Sequence, residues 1–363
     1  MAEQFKHFID WLTQPTLYFG LMVVAIFVIL RFRAFFSKTS VIVGFFALGT
    51  AFFAFAWSDP NFNRIITKPD NVPIIILLAS VVFFSWLSLH RAYINDERIK
   101  KGQPTLEGEL GKQKVFTWPD LVYIELICMV LFLALLIVWS IEIEAPIEEP
   151  AAQARTPNPS KAPWYFLGLQ ELLVYFDPWL AGVVLPGFIV VGLCAIPYVD
   201  INPKGNGYYT FEERKFAVSF FWVGFLLFWI SFVILGTFLR GPNWSFFGPF
   251  EYWDLHKLPP MVNIDLSTYF WFNLLGQESA PANPLMREMP GIVLLLGYFL
   301  VLPKLLAGPI MARVFEGKKE HVVRYYFMMH LLLWFGLIPI KMLLRWTIDL
   351  KYIVGIPEWF FNI

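Results

Sequence analysis

Long apolar stretches recur along the chain, separated by shorter polar ones. Eight of them are long enough to cross or nearly cross a bilayer, which takes about 20 residues. They fall near Thr16–Leu30, Val41–Trp57, Val72–Leu89, Asp120–Ser140, Trp179–Tyr198, Phe216–Leu239, Gly291–Leu306 and Tyr325–Leu344. The first, second and seventh are short by hydropathy alone and need flanking aromatics, such as Phe35 and Phe36, to complete them. The pattern predicts an all-α integral membrane protein with about eight transmembrane helices. Between spans four and five lies KAPWYFLGLQELLVYFDPW, from Lys161 to Trp179. Pro163 is well suited to the start of a helix, so this stretch predicts a short amphipathic helix between the two spans.

Composition strengthens that picture. The 363 residues are 58% hydrophobic and only 15% charged, whereas a soluble domain is about half apolar and about a quarter charged. A formal net charge of zero gives no reason to expect nucleic acid as a partner. Cys128 and Cys194 each lie inside an apolar run and read as small core residues rather than a disulfide. No A-x-A-like site follows the first apolar stretch, which reads as a retained span.

Lys and Arg set the orientation. With the N-terminus outside, the inner loops are Arg31–Ser40, His90–Trp118, Asp200–Lys215 and Pro303–Arg324. These hold seventeen of the twenty-eight Lys and Arg, which predicts an even number of spans and both termini on the outer side. The outer loop after span four is acidic and Pro-rich, with Glu142, Glu144, Glu148 and Glu149. The polar inner loop INDERIKKGQPTLEGELGKQK is the best boundary in the chain. It divides a three-span extension, residues 1–110, from a central region, 111–245; an outer loop with two further spans, 246–363, follows.

There are five histidines: His7, His90, His256, His321 and His330. A membrane b-type haem takes two imidazoles per iron from facing helices. Only His330 lies well inside a span, with His90 at a span's end, and no C-x-x-C-H motif occurs. These residues alone do not furnish a haem pair, so any metals for electron transfer would belong to partners.

The stretch from Trp118 to Trp244 resembles the C-terminal half of cytochrome b, a separate chain called subunit IV in cytochrome bf complexes. WPDLVYIEL (Trp118–Leu126) opens the first span of that half, and IEIEAPIEEP leaves it. TPNPSKAPWYFLGLQELL stands where the family has its P-x-x-x-P-E-W-Y-F helix, and Pro197-Tyr198 ends the following span. RKFAVSFFWVGFLLFWISFVILGTF supplies the next one. The resemblance implies a haem-free subunit of a split cytochrome bc-type, proton-translocating quinol:cytochrome c-type oxidoreductase, inactive alone. It implies a bacterial cytoplasmic membrane location and a quinol, menaquinone-like, as substrate. The implied partners are a haem-bearing cytochrome b N-terminal-half subunit, a Rieske-type iron–sulfur protein, a c-type cytochrome and the lipid membrane.

In the family the short helix helps form the outer quinol-oxidation pocket. Carried onto this sequence, the quinol-binding positions are Pro163, Trp164, Tyr165, Phe166 and Leu169. The family's Glu before Trp-Tyr is replaced here by Pro163, so the usual proton acceptor is missing. Glu171 is the nearest replacement, eight residues on, with Tyr165 or Tyr175 as the relay through water. A carboxylate beside a membrane pocket is costly without a role or a partner. It is equally consistent with an interfacial ion pair to another subunit. A structural membrane subunit with an inactive pocket is therefore the alternative, favoured by the missing Glu. A transporter is disfavoured by the few charges within the spans. PEWFF at Pro357–Phe361 matches the family's letters better, but no span follows it, so it reads as an interfacial anchor. The loop LRGPNWSFFGPFEYWD (Leu239–Asp254) reads as a pocket cover, a cytochrome contact or an ordered interfacial loop.

Overall fold

The structure, a computed structural model, describes residues 2–112, 114–145, 150–154, 156–204, 207–258, 262–314 and 321–363, with only the backbone of residue 313. Glu148 and Glu149 lie outside the described residues. Seven helices are long and apolar enough to cross a membrane: Thr39–Ala56, Asn71–Lys100, Thr117–Glu142, Leu180–Val199, Lys215–Leu239, Met289–Ala312 and Val322–Ile348. An eighth span is formed if Ala2–Leu12 and Pro15–Arg31, bent by 80° at Thr13 and Gln14, count as one. All eight expected spans thus coincide with helices, and the protein is an all-α membrane protein. The one sheet among the described residues is a two-stranded pairing of Gly355–Ile356 with Phe361–Asn362.

The third span continues past Leu89 to Lys100, beyond its apolar run. Its polar end is packed rather than solvated: Asn95 and Asp96 are buried. Asn95 donates to Glu107 (2.7 Å) and to the Tyr209 carbonyl (2.9 Å). Asp96 accepts from the Thr210 hydroxyl (2.6 Å) and from the Phe211 and Glu212 amides. Buried polar groups persist when bonded, so these contacts let the helix outrun its hydropathy.

The chain forms two compact units, interleaved in sequence. The first comprises Met1–Tyr165 and Lys204–Leu258. Within it, span one packs along span six through Phe19, whose ring lies 5.3 Å from Phe232. Asp59 caps helix Pro60–Ile66 by accepting from the Asn61 and Phe62 amides. Phe62 then stacks on Phe250 at 5.5 Å. Span four, Thr117–Glu142, buries none of its span window against the rest of the described chain.

The second unit comprises Phe166–Pro203 and Pro259–Ile363. Trp334 of span eight joins three helices, with Phe188 of span five stacked at 5.0 Å and Phe299 of span seven at 4.7 Å. Tyr325 is fully buried and donates to the Pro303 carbonyl at 2.6 Å, while Tyr298 donates to that of Leu333 at 2.8 Å.

Candidate functional site

The helix expected between spans four and five is present as Trp164–Leu172, beginning directly after Pro163. Its burial has a helical phase. Leu167, Gly168, Glu171 and Leu172 are buried, whereas Tyr165 and Phe166 are 48% and 53% exposed. At about 100° per residue, positions seven apart share a face, so Glu171 lies on the side of Trp164 and Gly168. Tyr165, Phe166 and Leu169 lie on other sides of the helix. Glu171 itself is 0% exposed. The sequence-predicted residues are therefore gathered on one short helix but divided between a buried and an exposed face.

The leading end of the helix belongs to the first unit. Asn158 and Asn243 exchange two bonds: the Asn158 amide donates to Asn243 Oδ1 (2.9 Å), and the Asn243 backbone N–H donates to Asn158 Oδ1 (2.6 Å). Asn243 suits this place because its φ of 59° is a left-handed conformation that Asn tolerates. Lys161 donates to the Thr237 carbonyl (2.8 Å) and sits 4.9 Å from the Trp253 ring. The Trp164 ring meets Trp229 of span six at 5.9 Å. The Pro-rich linker is thus clamped to the loop Leu239–Asp254. That loop is in turn held by Asp10, which accepts from the Phe250 amide (2.9 Å), and by Asn61, which donates to the Phe250 carbonyl (3.0 Å).

The trailing end belongs to the second unit. After Leu172 the chain turns through Leu173–Phe176, and the carbonyls of Leu173 and Val174 accept from Lys351 Nζ at 3.2 and 3.3 Å. Lys341, a fully buried lysine inside span eight, donates to the Lys351 carbonyl and lies 5.6 Å from the Phe176 ring. Asp177 accepts from the Asn362 amide at 2.9 Å. Burial, together with the positive charge of Arg345, pushes the Lys351 amine below the ordinary lysine value. Burial and the Asp177 carboxylate push the Tyr352 phenol up. Burial and Glu288 push the Asp265 carboxyl up.

These clamps were not anticipated from the sequence. Lys341 alone carried a signal, because a charge inside an apolar span is expensive and points to a role. Lys351, Asn158 and Asn362 are ordinary polar residues in the sequence, and only the fold brings their partners to them. PEWFF, expected to be an interfacial anchor, leaves Trp359 and Phe360 exposed, while Phe361 reaches the Trp179 ring at 5.7 Å. Among the described residues no group of three or more His, Cys, Asp or Glu is arranged to hold a metal ion. His90 and His330 each bond through Nδ1 to a backbone carbonyl, of Ser37 and Tyr326 respectively.

Residues 150–246 match the family described as cytochrome b (C-terminal)/b6/petD. The match supports a cytochrome b C-terminal-type domain in this segment. It contains the candidate helix with spans five and six, and its end lies inside the loop that clamps the linker. The match begins after span four, so Trp118–Leu126 lies outside it, as do the first three spans and the last two. The cytochrome b C-terminal-type domain supports a membrane subunit of the cytochrome bc/b6f type. No solved structure matches the chain.

Proposed function

We propose that the chain is a haem-free subunit of a split cytochrome bc-type quinol:electron-acceptor oxidoreductase, and that helix Trp164–Leu172 forms part of its outer quinol-oxidation pocket. The observation that carries this reading is one short helix, inside the matched segment, with exposed aromatic rings and a fully buried carboxylate. Aromatic walls with few polar groups suit a flat quinone ring. In this reading Pro163, Trp164, Tyr165, Phe166 and Leu169 bind the quinol. Glu171 accepts a proton, with Tyr165 relaying it through water. Oxidation of a quinol to a quinone releases two protons and two electrons. One electron passes to a Rieske-type iron–sulfur protein and then a c-type cytochrome. The other passes to a haem on a cytochrome b N-terminal-half subunit. The quinone is menaquinone-like, the membrane is the bacterial cytoplasmic membrane, and both termini face its outer side.

The test uses the native complex. Its subunits, haem spectrum and quinol:cytochrome c activity are recorded for the parent and for Glu171→Gln, which keeps the size and removes the base. A positioned base contributes about 10²–10⁴ in rate, so turnover should fall about tenfold or more with assembly and haem content unchanged. Parent-like turnover across pH would exclude Glu171 as the proton acceptor.

One observation favours a second reading, a structural subunit with an inactive pocket. Glu171 is buried on a side of the helix away from Tyr165 and Phe166, and Pro163 stands in place of the family's Glu. That reading predicts a parent complex without quinol oxidation, and a Glu171→Gln variant whose defect is in assembly.

A further inference from the structure

We infer that the segment Asp349–Ile363 is a strap that fixes the trailing end of the candidate quinol helix, with Lys351 as its positioning residue. The inference rests on the proposed function for its catalytic consequence, but its structural part stands on contacts alone. The strap lies well outside the family match, so it is an addition to the matched domain.

The last carbonyls of any helix lack intrahelical partners, and a cation there also meets the negative end of the helix dipole. Here the amides of Leu173–Phe176 bond the carbonyls of Gln170, Glu171 and Leu172, and Lys351 in turn donates to the next carbonyls, of Leu173 and Val174, at the negative end of the helix. The same turn is bonded back to the helix. The Val174 amide donates to the carbonyl of Glu171 (3.2 Å), and the Phe176 amide to that of Leu172 (2.9 Å). A displacement of the turn therefore reaches the backbone of Glu171 directly.

Lys351 is itself pinned on both sides of its backbone. Its N–H donates to the Ile264 carbonyl at 2.8 Å, and its carbonyl accepts from Lys341. The rest of the strap is anchored at the start of span seven. Arg287 makes two bonds to Glu358, at 3.1 and 3.0 Å, and the Gly355 amide donates to buried Glu288 at 3.1 Å. The Ile353 carbonyl lies against Gly291 so closely that no Cβ fits there. The strap closes on itself where the Ile363 amide donates to the Val354 carbonyl at 2.9 Å. Its far end reaches back past the helix through Asn362 to Asp177 and through Phe361 to Trp179. The two carbonyls call for a donor, and burying an amine is costly unless such bonds are made.

The experiment compares Lys351→Met and Lys351→Arg in the native complex. It reads kcat, KM for quinol, and amide hydrogen exchange over residues 171–179. Because the rings of Tyr165 and Phe166 are at the other end of the helix, loss of the cap should move Glu171 more than the ring-binding positions. Lys351→Met is expected to lower kcat about tenfold with KM changed less than about twofold, the pattern of a lost transition-state interaction. Exchange over 171–176 should accelerate. Lys351→Arg, which keeps a donor at the carbonyls, should restore both readouts. Parent kcat and parent exchange in Lys351→Met would overturn the inference, as would a Lys351→Arg variant equally impaired. If Lys351→Met does not assemble, Asn362→Ala removes only the bond to Asp177; parent exchange and parent kcat there would overturn the strap. A parent complex that does not oxidise quinol sinks the functional reading instead. Exchange alone then decides the strap, faster exchange in Lys351→Met supporting it and unchanged exchange overturning it.

Discussion

At the leading end of helix Trp164–Leu172 the holding contacts are a reciprocal amide pair, Asn158 with Asn243, and one lysine, Lys161, on a carbonyl. At the trailing end two lysines are stacked, Lys341 on the Lys351 carbonyl and Lys351 on the helix turn, and the first of them is fully buried. The amide pair is exposed, so water competes for it. A neutral hydrogen bond contributes about 0.5–1.5 kcal/mol net, one to a charged group about 1.5–3 kcal/mol. The trailing end, which carries Glu171, is thus the stiffer of the two. The leading end, which carries Tyr165, has more freedom to adjust. In the proposed quinol pocket, that division would hold the base steady while the flat ring is admitted.

The comparison breaks most easily at Gly291. Adding a methyl group drives it into the Ile353 carbonyl and Val354, while Gly182, in the same unit, has open space around it. Gly291→Ala should cost about 1–3 kcal/mol, the usual range for overpacking, or more because the obstacle is backbone. Gly182→Ala should be close to neutral. Thermal midpoints of the two purified complexes check this; equal midpoints would show that the strap yields easily and that the trailing end is not the stiff one. A smaller effect is expected at the leading end. Asn158→Ala removes both bonds of the amide pair, each worth about 1 kcal/mol before solvent competition. Its turnover should fall less than that of Lys351→Met. If the two variants lose turnover equally, the asymmetry is absent.

The smallest effect is on pH. Lys351 is lowered from the ordinary 10.5 by burial and by Arg345. Between the lowered value and 10.5, the unfolded chain binds a proton that the folded chain has released. Stability therefore rises with pH through that window. Below it, the burial cost of the charged form is constant. Lys351→Arg stays charged and lacks the rise. The difference in thermal midpoint, parent minus variant, should grow from neutral pH towards pH 10.5 and not shrink.

The spans were legible because an apolar run of bilayer length has few alternatives to a helix. The third span's continuation to Lys100 was not, since its support comes from Asp96 and Asn95 meeting partners more than a hundred residues away. The short helix was legible from Pro163 and from the resemblance of the flanking motifs. Its phase was readable only in part. The spacing put Glu171 near the face of the helix start, which Trp164 shares. The same spacing turns Tyr165 and Phe166 away from Glu171, but that theirs is the exposed side and Glu171's the buried one depends on packing, which no spacing encodes. The strap was illegible for a plainer reason: Lys351 is 178 residues from Leu173, and its partners are backbone carbonyls, which carry no sequence signature.

The interleaving of the two units also imposes an order on biosynthesis. Chains are made from the N-terminus and fold as segments emerge. The first unit has all of its residues once Leu258 has been added. The second starts at Phe166, yet the lysine that bonds the turn after the helix, Lys351, is added 178 residues after Leu173. A nascent chain halted before Lys351 would carry all seven of the long apolar helices found among the described residues, but a turn after Glu171 still without its lysine.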